Sequence, residues 1–343
     1  MHHFTYQDGS LHCEGVNLNK IADEVGTPCY VYSSATLVRH ARVIAAAFEG
    51  QDCLIAFSVK SNGNIGVLST LAREGCGADV VSGGELQRAL RAGIPAERIV
   101  FSGVGKTAEE MQLALRAGIH QFNVESAAEL RRLSEVASMT GAEAPVAIRV
   151  NPDVAAGGHP NISTGKKGDK FGVPWNDAED LYAEAATLPG IEVTGIDMHI
   201  GSQITELQPF DDAFALLAEL IGTLRADGHA IEHVDLGGGL GIPYEDEQPP
   251  SPKEYGDMVT SVVGSLGCRI LFEPGRMIAG NAGILIAEVI YVKSAGEKNF
   301  VIVDAAMNDL IRPTLYEAWH EMFPVREPSP DAPRMRADIV GPV

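Results

Sequence analysis

Between residues 53 and 273, short runs rich in β-branched residues alternate with longer amphipathic stretches. This alternation predicts repeated strand–helix units around a parallel sheet. Eight runs are predicted strands: Cys53–Val59, Ala78–Ser82, Ile99–Ser102, Gln121–Val124, Pro145–Val150, Val193–His199, Ile231–Leu236 and Arg269–Glu273. Eight such units favour an α/β fold, a (β/α)8 barrel of TIM type, over an open doubly wound sheet.

The pattern changes after residue 280. Ile284–Val292 and Phe300–Val303 are predicted strands with no long helix between them, which indicates a second, β-rich domain. At the N-terminus, Asp8-Gly9-Ser10 between two apolar runs predicts a small hairpin that joins this domain. We expect an N-terminal segment over 1–25, a barrel over 26–278, and the start of the β-domain over 279–343.

Composition narrows the classes of partner. The chain has 343 residues, of which 45% are hydrophobic and 21% are charged, as in folded globular proteins. The formal net charge is −20. Because that charge repels phosphate backbones and anionic membrane surfaces, we expect neither nucleic acid nor a membrane as a partner.

The cysteines are scattered, with no CxxC pair and no histidine at zinc spacing. They are Cys13, Cys29, Cys53, Cys76 and Cys268. The N-terminus does not resemble a leader peptide, and no apolar run approaches the ~18 residues of a membrane span. We therefore expect reduced thiols, a cytoplasmic location and no metal.

Lys60 follows the first predicted barrel strand, in Phe57-Ser-Val-Lys60-Ser-Asn62. Barrel enzymes perform chemistry at the carboxyl ends of their strands, where a partly desolvated amine can react with a carbonyl group. A lysine at a strand end is more often a solvated surface residue. The segment alone therefore does not establish catalysis.

A glycine run, Gly237-Gly238-Gly239, directly follows the seventh predicted strand. Glycines let backbone N–H groups approach an anion closely, and barrels commonly bind phosphate after their seventh and eighth strands. The order of residues matches neither a P-loop nor a dinucleotide fingerprint. The alternative is a tight turn that binds nothing.

Glu273-Pro274-Gly275-Arg276 ends the eighth predicted strand. A carboxylate suits the ring nitrogen of pyridoxal 5'-phosphate (PLP), and an accessible amide suits its phosphate. The alternative is a surface Arg–Glu pair beside a turn. The sixth strand ends in His199-Ile-Gly-Ser202, where an imidazole can lie against a planar cofactor and Ser202 can donate to a phosphate. A lone histidine there would more often be a satisfied interior residue.

Seven motifs follow one another along nearly the whole chain, and together they resemble the diaminopimelate decarboxylase family. They are Phe57–Asn62, Gly77–Leu86, Phe122–Ser126, His199–Gln203, Asp235–Gly239, Glu273–Arg276 and Met307–Tyr316. The set also resembles the wider alanine-racemase-like group of PLP enzymes, whose fold is a barrel with a β-domain. The last motif points to diaminopimelate.

The resemblance implies that Lys60 carries PLP covalently, His199 stacks on its ring and Glu273 pairs with the ring nitrogen. Cofactor contacts are also implied for Asp79, Ser202, Gly237, Gly238, Gly239, Pro274, Gly275 and Arg276. The side chains implied to bind substrate carboxylates are Arg276, Arg312 and Tyr316. The implied reaction converts meso-2,6-diaminopimelate to L-lysine and CO₂, the last step of lysine biosynthesis, in a homodimer with shared active sites.

The family pattern continues past Val343 with a Cys-Glu pair and, later, a Tyr. The resemblance implies that the Cys donates the final proton, that the Glu contacts the substrate amine, and that both reach across the dimer. We therefore expect a C-terminally truncated chain with an incomplete β-domain, weak PLP binding and poor activity.

Two other functions stay open at this point. A decarboxylase of the same fold for ornithine, arginine or a carboxylated polyamine precursor would favour an acidic residue where Arg312 stands. A PLP-binding protein without catalysis is consistent with the missing Cys-Glu pair, but the substrate arginines argue against it.

Overall fold

In the computed structural model, residues 2–154 and 170–342 are described. The chain divides into two compact units. The β-unit comprises Met1–Thr36, Pro243–Glu247 and Gly280–Val343, and the barrel unit comprises Leu37–Ile242 and Gln248–Ala279. The domain bounds expected from the sequence are 1–25, 26–278 and 279–343, and they remain a prediction.

The predicted N-terminal hairpin is confirmed. The first elements of the β-unit are β1 (Phe4–Gln7), β2 (Ser10–Cys13), β3 (Val16–Asn17), α1 (Leu18–Val25) and β4 (Cys29–Tyr32). Strands β1 and β2 pair antiparallel, and both turn residues, Asp8 and Gly9, have positive φ (49° and 73°). An Asp-Gly turn of this kind matches the twist of a two-residue hairpin.

Eight parallel strands close into a barrel, as predicted. They are β5 (Cys53–Ser58), β6 (Gly77–Val80), β7 (Ile99–Phe101), β8 (Gln121–Val124), β9 (Ala144–Asn151), β11 (Ile191–Asp197), β12 (His233–Asp235) and β13 (Arg269–Phe272), with a two-residue strand β10 (Val173–Pro174) beside β9. Each barrel strand pairs with its neighbour, and the ring closes where β13 pairs with β5. Strands β6 and β8 are buried at every position, because the ring has an interior face and a face covered by helices.

The helices that alternate with these strands carry apolar residues toward the barrel. They are α2 (Ser34–Ala47), α3 (Ile65–Arg73), α4 (Gly83–Arg91), α5 (Ala108–Ala117), α6 (Ala127–Thr140), α7 (Ala178–Ala185), α8 (Gln208–Ala226), α9 (Pro252–Val263) and α10 (Arg276–Ala279). In α8, for example, Phe210, Phe214 and Leu217 are buried at helical spacing. Across residues 2–154 and 170–342, no helix has the length and apolar content needed to span a membrane.

In the C-terminal part of the β-unit, the structure differs from one predicted strand. Its elements are β14 (Gly283–Ile286), β15 (Val289–Ala295), β16 (Lys298–Val303), α11 (Arg312–Tyr316) and β17 (Asp338–Val340). The single strand predicted over Ile284–Val292 is wrong, because β14 pairs with β4 whereas β15 pairs with β16. The chain changes sheets at Glu288, whose N–H donates to Asp304 Oδ1 at 2.8 Å.

Candidate active site

Lys60 lies just beyond β5, at the carboxyl end of the barrel strands. The predicted strand is one residue too long here: β5 ends at Ser58, and Lys60 sits in a 3-10 turn over Val59–Ser61. Its Nζ lies 3.2 Å from Oδ2 of Asp79, which is fully buried in β6. The same oxygen accepts a 2.6 Å hydrogen bond from Ser58 Oγ. With 51% of its side chain exposed, Lys60 combines an anchored amine with access from outside.

The carboxylates around Lys60 control its charge. Burial lowers the pKa of Lys60, but the Asp79 and Glu273 carboxylates outweigh that effect and the net pKa is raised. The amine is therefore a cation at neutral pH while it faces these carboxylates. It must give up a proton before it can act as a nucleophile.

Glu273 follows β13, the neighbour of β5, and only 6% of it is exposed. Its Oε1 accepts from Asn123 Nδ2 and from Ser102 Oγ, both at 3.3 Å. Burial, followed by the Asp235 and Asp79 carboxylates, raises the pKa of Glu273 well above its ordinary value. The site therefore favours either a proton on Glu273 or a cation beside it.

Asn123 and Asp235 were not among the predicted site residues, although both stand in motifs at strand ends. Asn123 Nδ2 also donates to Asp235 Oδ2 at 3.1 Å, and Asp235 Oδ1 accepts from the Gly237 N–H at 3.0 Å. Burial and the Asp197 carboxylate raise the pKa of Asp235 to about 7. The Asn123 side chain thus joins Glu273 to Asp235, and Asp235 in turn contacts the glycine run.

His199 is held as a neutral imidazole. Its Nδ1 accepts a 3.1 Å hydrogen bond from the N–H of Gly238, which places the ring proton on Nε2. Burial, together with the charges of Arg149 and Lys60, lowers the pKa of His199 well below its ordinary value. A neutral ring can lie against a cationic heterocycle without repelling it.

Arg149 is a second feature that sequence reasoning missed. Its guanidinium is buried in β9, where it contacts Glu125 Oε1 (3.4 Å), Asp197 Oδ2 (3.9 Å) and the carbonyl oxygen of His199 (3.4 Å). A charged residue inside an apolar parallel strand was the signal available, because such a residue must face the barrel interior and find a partner there.

The glycine run forms a cradle that side chains would fill. A Cβ on Gly238 would collide with the carbonyl oxygen of Glu273, and one on Gly239 would lie 2.6 Å from the carbonyl oxygen of Gly201. Gly239 also has φ of 112°, which L-residues rarely adopt. On the same rim, Arg276 Nη2 donates to Ser202 Oγ at 3.3 Å. The barrel unit thus places Lys60 beside Asp79 and Glu273, His199 beside Gly238, and Arg276 beside Ser202.

Gly238→Ala should weaken PLP binding at least about tenfold and lower the free energy of unfolding by about 1–3 kcal/mol, because its methyl group meets backbone that cannot move freely. Gly222→Ala is the matched control, since nothing lies within 4 Å of a Cβ there and the position is inside α8. Titration of PLP and thermal denaturation measure both effects. Equal behaviour of the two variants would contradict the cradle.

The site fits PLP in charge and in shape. Among the described residues of the barrel site named above, five carboxylates stand against the three cations Lys60, Arg149 and Arg276, so a protonated pyridine nitrogen beside Glu273 would supply missing positive charge. The carboxylates are Asp79, Glu125, Asp197, Asp235 and Glu273. Asp79 Oδ1, also buried, has no hydrogen-bond partner among the described residues. The glycine cradle has the open backbone that a phosphate needs.

Arg312 and Tyr316 lie in the β-unit, at the two ends of α11, and their four-residue spacing places them on one side of the helix. The Arg312 guanidinium stacks over the ring of Tyr244 at 4.6 Å from the centroid. Its Nη1 lies 3.0 Å from Nε2 of His320. Neither Tyr244 nor His320 was predicted from the sequence.

A family profile matches most of the chain. Residues 34–280 match the family described as pyridoxal-dependent decarboxylase, pyridoxal binding domain. The diaminopimelate decarboxylase of Zymomonas mobilis is 51% identical over 345 residues, an alignment that covers 99% of this chain and 81% of that protein.

Solved structures of similar proteins share the fold. The diaminopimelate decarboxylase of Helicobacter pylori, complexed with L-lysine, has a TM-score of 0.89 at 40% identity, covering 95% of this chain and 82% of that one. The enzyme of M. jannaschii in co-complex with L-lysine has a TM-score of 0.92 at 35% identity, covering 99% and 81%.

Proposed function

Because this chain belongs to the pyridoxal-dependent decarboxylases and, among them, to the diaminopimelate decarboxylases, we propose that it converts meso-2,6-diaminopimelate to L-lysine and CO₂. The reaction is the last step of lysine biosynthesis, and the cofactor is PLP. The observation that carries the proposal is the grouping of Lys60, Asp79, His199 and Glu273 at the carboxyl end of a closed barrel, in a chain about half identical to such enzymes.

PLP, when bound, supplies a carbonyl carbon that takes up an amine and a pyridinium ring that accepts the electron pair released with CO₂. Lys60 is the amine that holds it. Asp79 Oδ2 accepts a hydrogen bond from Lys60 Nζ at 3.2 Å, and it would hold this amine in place and take up a proton from it. Glu273, fixed by Asn123, keeps the ring nitrogen protonated, so that the ring stays a strong electron acceptor.

The remaining groups position the cofactor and the substrate. His199 stacks against the ring as a neutral imidazole, and the amides of Gly237–Gly239, Gly275 and Arg276, with Ser202, hold the phosphate. Pro274 shapes the same segment, because its carbonyl oxygen accepts from the Ser58 N–H at 3.2 Å and ties β13 to β5. Arg276, Arg312 and Tyr316 bind the substrate carboxylates.

We further propose a cytoplasmic homodimer. Apolar side chains on β15 support a partner surface, since Val289, Tyr291 and Val292 are each more than half exposed. The net charge of −20 disfavours nucleic acid and anionic membranes as partners.

Release of lysine from meso-diaminopimelate with added PLP tests the function, with ornithine as the competing substrate. Arg312→Ala should raise KM for diaminopimelate about 10- to 150-fold, since a hydrogen bond to a charged group contributes about 1.5–3 kcal/mol. Arg334→Ala, at an exposed position of the same unit, should leave KM unchanged. Turnover of ornithine without turnover of diaminopimelate would refute the substrate assignment.

A further inference from the structure

Arg312 contacts two side chains of its own unit that have no role in the proposed reaction. Tyr244 offers its ring face to the guanidinium, and His320 offers a ring nitrogen to Nη1. The Tyr244 and His320 rings also contact each other edge to face, with centroids 6.2 Å apart and planes at 81°. These three side chains, which we call the arginine clamp, each touch both of the others.

The contact between Arg312 and His320 fixes the state of the imidazole. A guanidinium can only donate hydrogen bonds, so Nε2 of His320 must accept and its proton must sit on Nδ1. Burial and the charge of Arg312 lower the pKa of His320, which favours this neutral form. His320 thus acts as an acceptor that leaves the guanidinium charge uncompensated.

The local backbone explains why His320 returns to Arg312. Helix α11 is only five residues long, and Glu317, directly after it, has a left-handed backbone with φ of 52°. The Ala318 N–H reaches back to the Arg312 carbonyl oxygen at 3.4 Å. The chain therefore reverses after one turn, and residue 320 comes back beside the first residue of the helix.

We propose that His320 and Tyr244 are positioning residues that hold the Arg312 guanidinium in one orientation for the carboxylate of the substrate's second amino-acid group. This inference rests on the proposed function. An arginine side chain loses much rotamer freedom when it binds a planar carboxylate in a forked geometry. A guanidinium already held by a ring face and one acceptor loses less, so binding of that carboxylate is tighter.

The binding of two ligands, L-lysine and cadaverine, distinguishes this positioning role from a general structural role. L-Lysine carries a carboxylate on the group that Arg312 would bind, whereas cadaverine has the same chain and amines with no carboxylate. A change confined to the clamp should weaken the binding of L-lysine and leave that of cadaverine unchanged. A loosened fold would weaken the binding of both.

The experiment compares His320→Leu with His320→Gln in the PLP-loaded full chain. Glutamine keeps an acceptor oxygen at the position of Nε2, and leucine removes it. We expect His320→Leu to raise KM for meso-diaminopimelate and Kd for L-lysine in parallel, by about 5- to 20-fold, with kcat and the cadaverine Kd within about threefold of wild type. His320→Gln should stay within about threefold throughout. Changes in the absorbance of bound PLP report both dissociation constants.

Tyr244 supplies an independent pair of variants. Tyr244→Phe keeps the ring under the guanidinium and should match wild type, whereas Tyr244→Leu should raise KM and the L-lysine Kd as His320→Leu does. If His320→Leu fails to fold, as thermal denaturation would reveal, this pair carries the same comparison.

Equal weakening of L-lysine and cadaverine, or His320→Gln as impaired as His320→Leu, would overturn the positioning role. Failure of the proposed function gives a different result. Wild-type protein would then release no lysine from diaminopimelate, and its Kd for L-lysine would be no lower than that for cadaverine.

Discussion

Replacing Lys60 with alanine is expected to abolish covalent PLP binding and to lower kcat by at least about 10³-fold, as for other enzymes that lose a covalent catalyst. Lys60 stands beside both Asp79 and Glu273, so the variant loses the amine that these two carboxylates face. Borohydride reduction followed by peptide mass analysis should find the cofactor on residue 60 in the wild type and on no residue in the variant.

Lys253→Ala is the matched control, because that lysine is 79% exposed in α9 and forms an ion pair with Asp257 on the same helix. It should keep full activity and the same reduced peptide. Labelling of a different lysine in wild-type protein would overturn the assignment, whatever the activity of Lys60→Ala.

Glu273→Gln is the second substitution with a large expected effect. The amide keeps the shape and the contact with Asn123 but cannot balance a positive charge on the ring nitrogen. We expect kcat to fall about 10²- to 10³-fold, the usual loss when one charge-stabilising group is removed from a buried site. Glu273 raises the pKa of Lys60, so its loss leaves more of the Lys60 amine neutral, and PLP should still attach. The absorbance of the bound PLP should report a less protonated ring.

Asp235→Asn provides a comparison that removes a buried carboxylate at a different position, together with one of its two hydrogen-bond acceptors. Asp235 belongs to the same buried network and contacts Asn123, but its other oxygen is used by the Gly237 amide. If net charge alone mattered, both variants would lose activity equally. We expect Asp235→Asn to retain at least about ten times more activity than Glu273→Gln, because a carboxylate that does not face the developing charge contributes less to its stabilisation.

The eight barrel strands could be predicted because each is a short apolar run with an amphipathic helix behind it, and the chain order of such units determines their pairing. The motifs at strand ends could be located for the same reason. The exact residue at which a strand ends was harder to predict. The last paired residue of β5 is Ser58, so Lys60 lies in a 3-10 turn and not in the strand. The change of sheet at Glu288 left a single sign in the sequence, the one charged residue within the apolar run Ile284–Val292.

Partnerships across the barrel interior could not be predicted. Asn123 joins Asp235 and Glu273, which are 112 and 150 residues further along the chain, and this contact depends on the stagger of strands around the ring. Arg149 meets Glu125 and Asp197 in the same way. His320 and Tyr244 were missed because their role exists only through Arg312. In each case the residue type was visible in the sequence, whereas its partner depended on the fold.

Closure of the ring between β13 and β5 also determines when the protein can first hold its cofactor. Lys60 follows the first barrel strand in chain order and Glu273 follows the last one, so a nascent chain has the lysine long before it has the acid. Partly folded chains therefore lack the site, and PLP stabilises only molecules whose last strand has docked. Long-range closure of this kind is slow. A higher PLP concentration should therefore raise the fraction of chains in which the last barrel strand has docked.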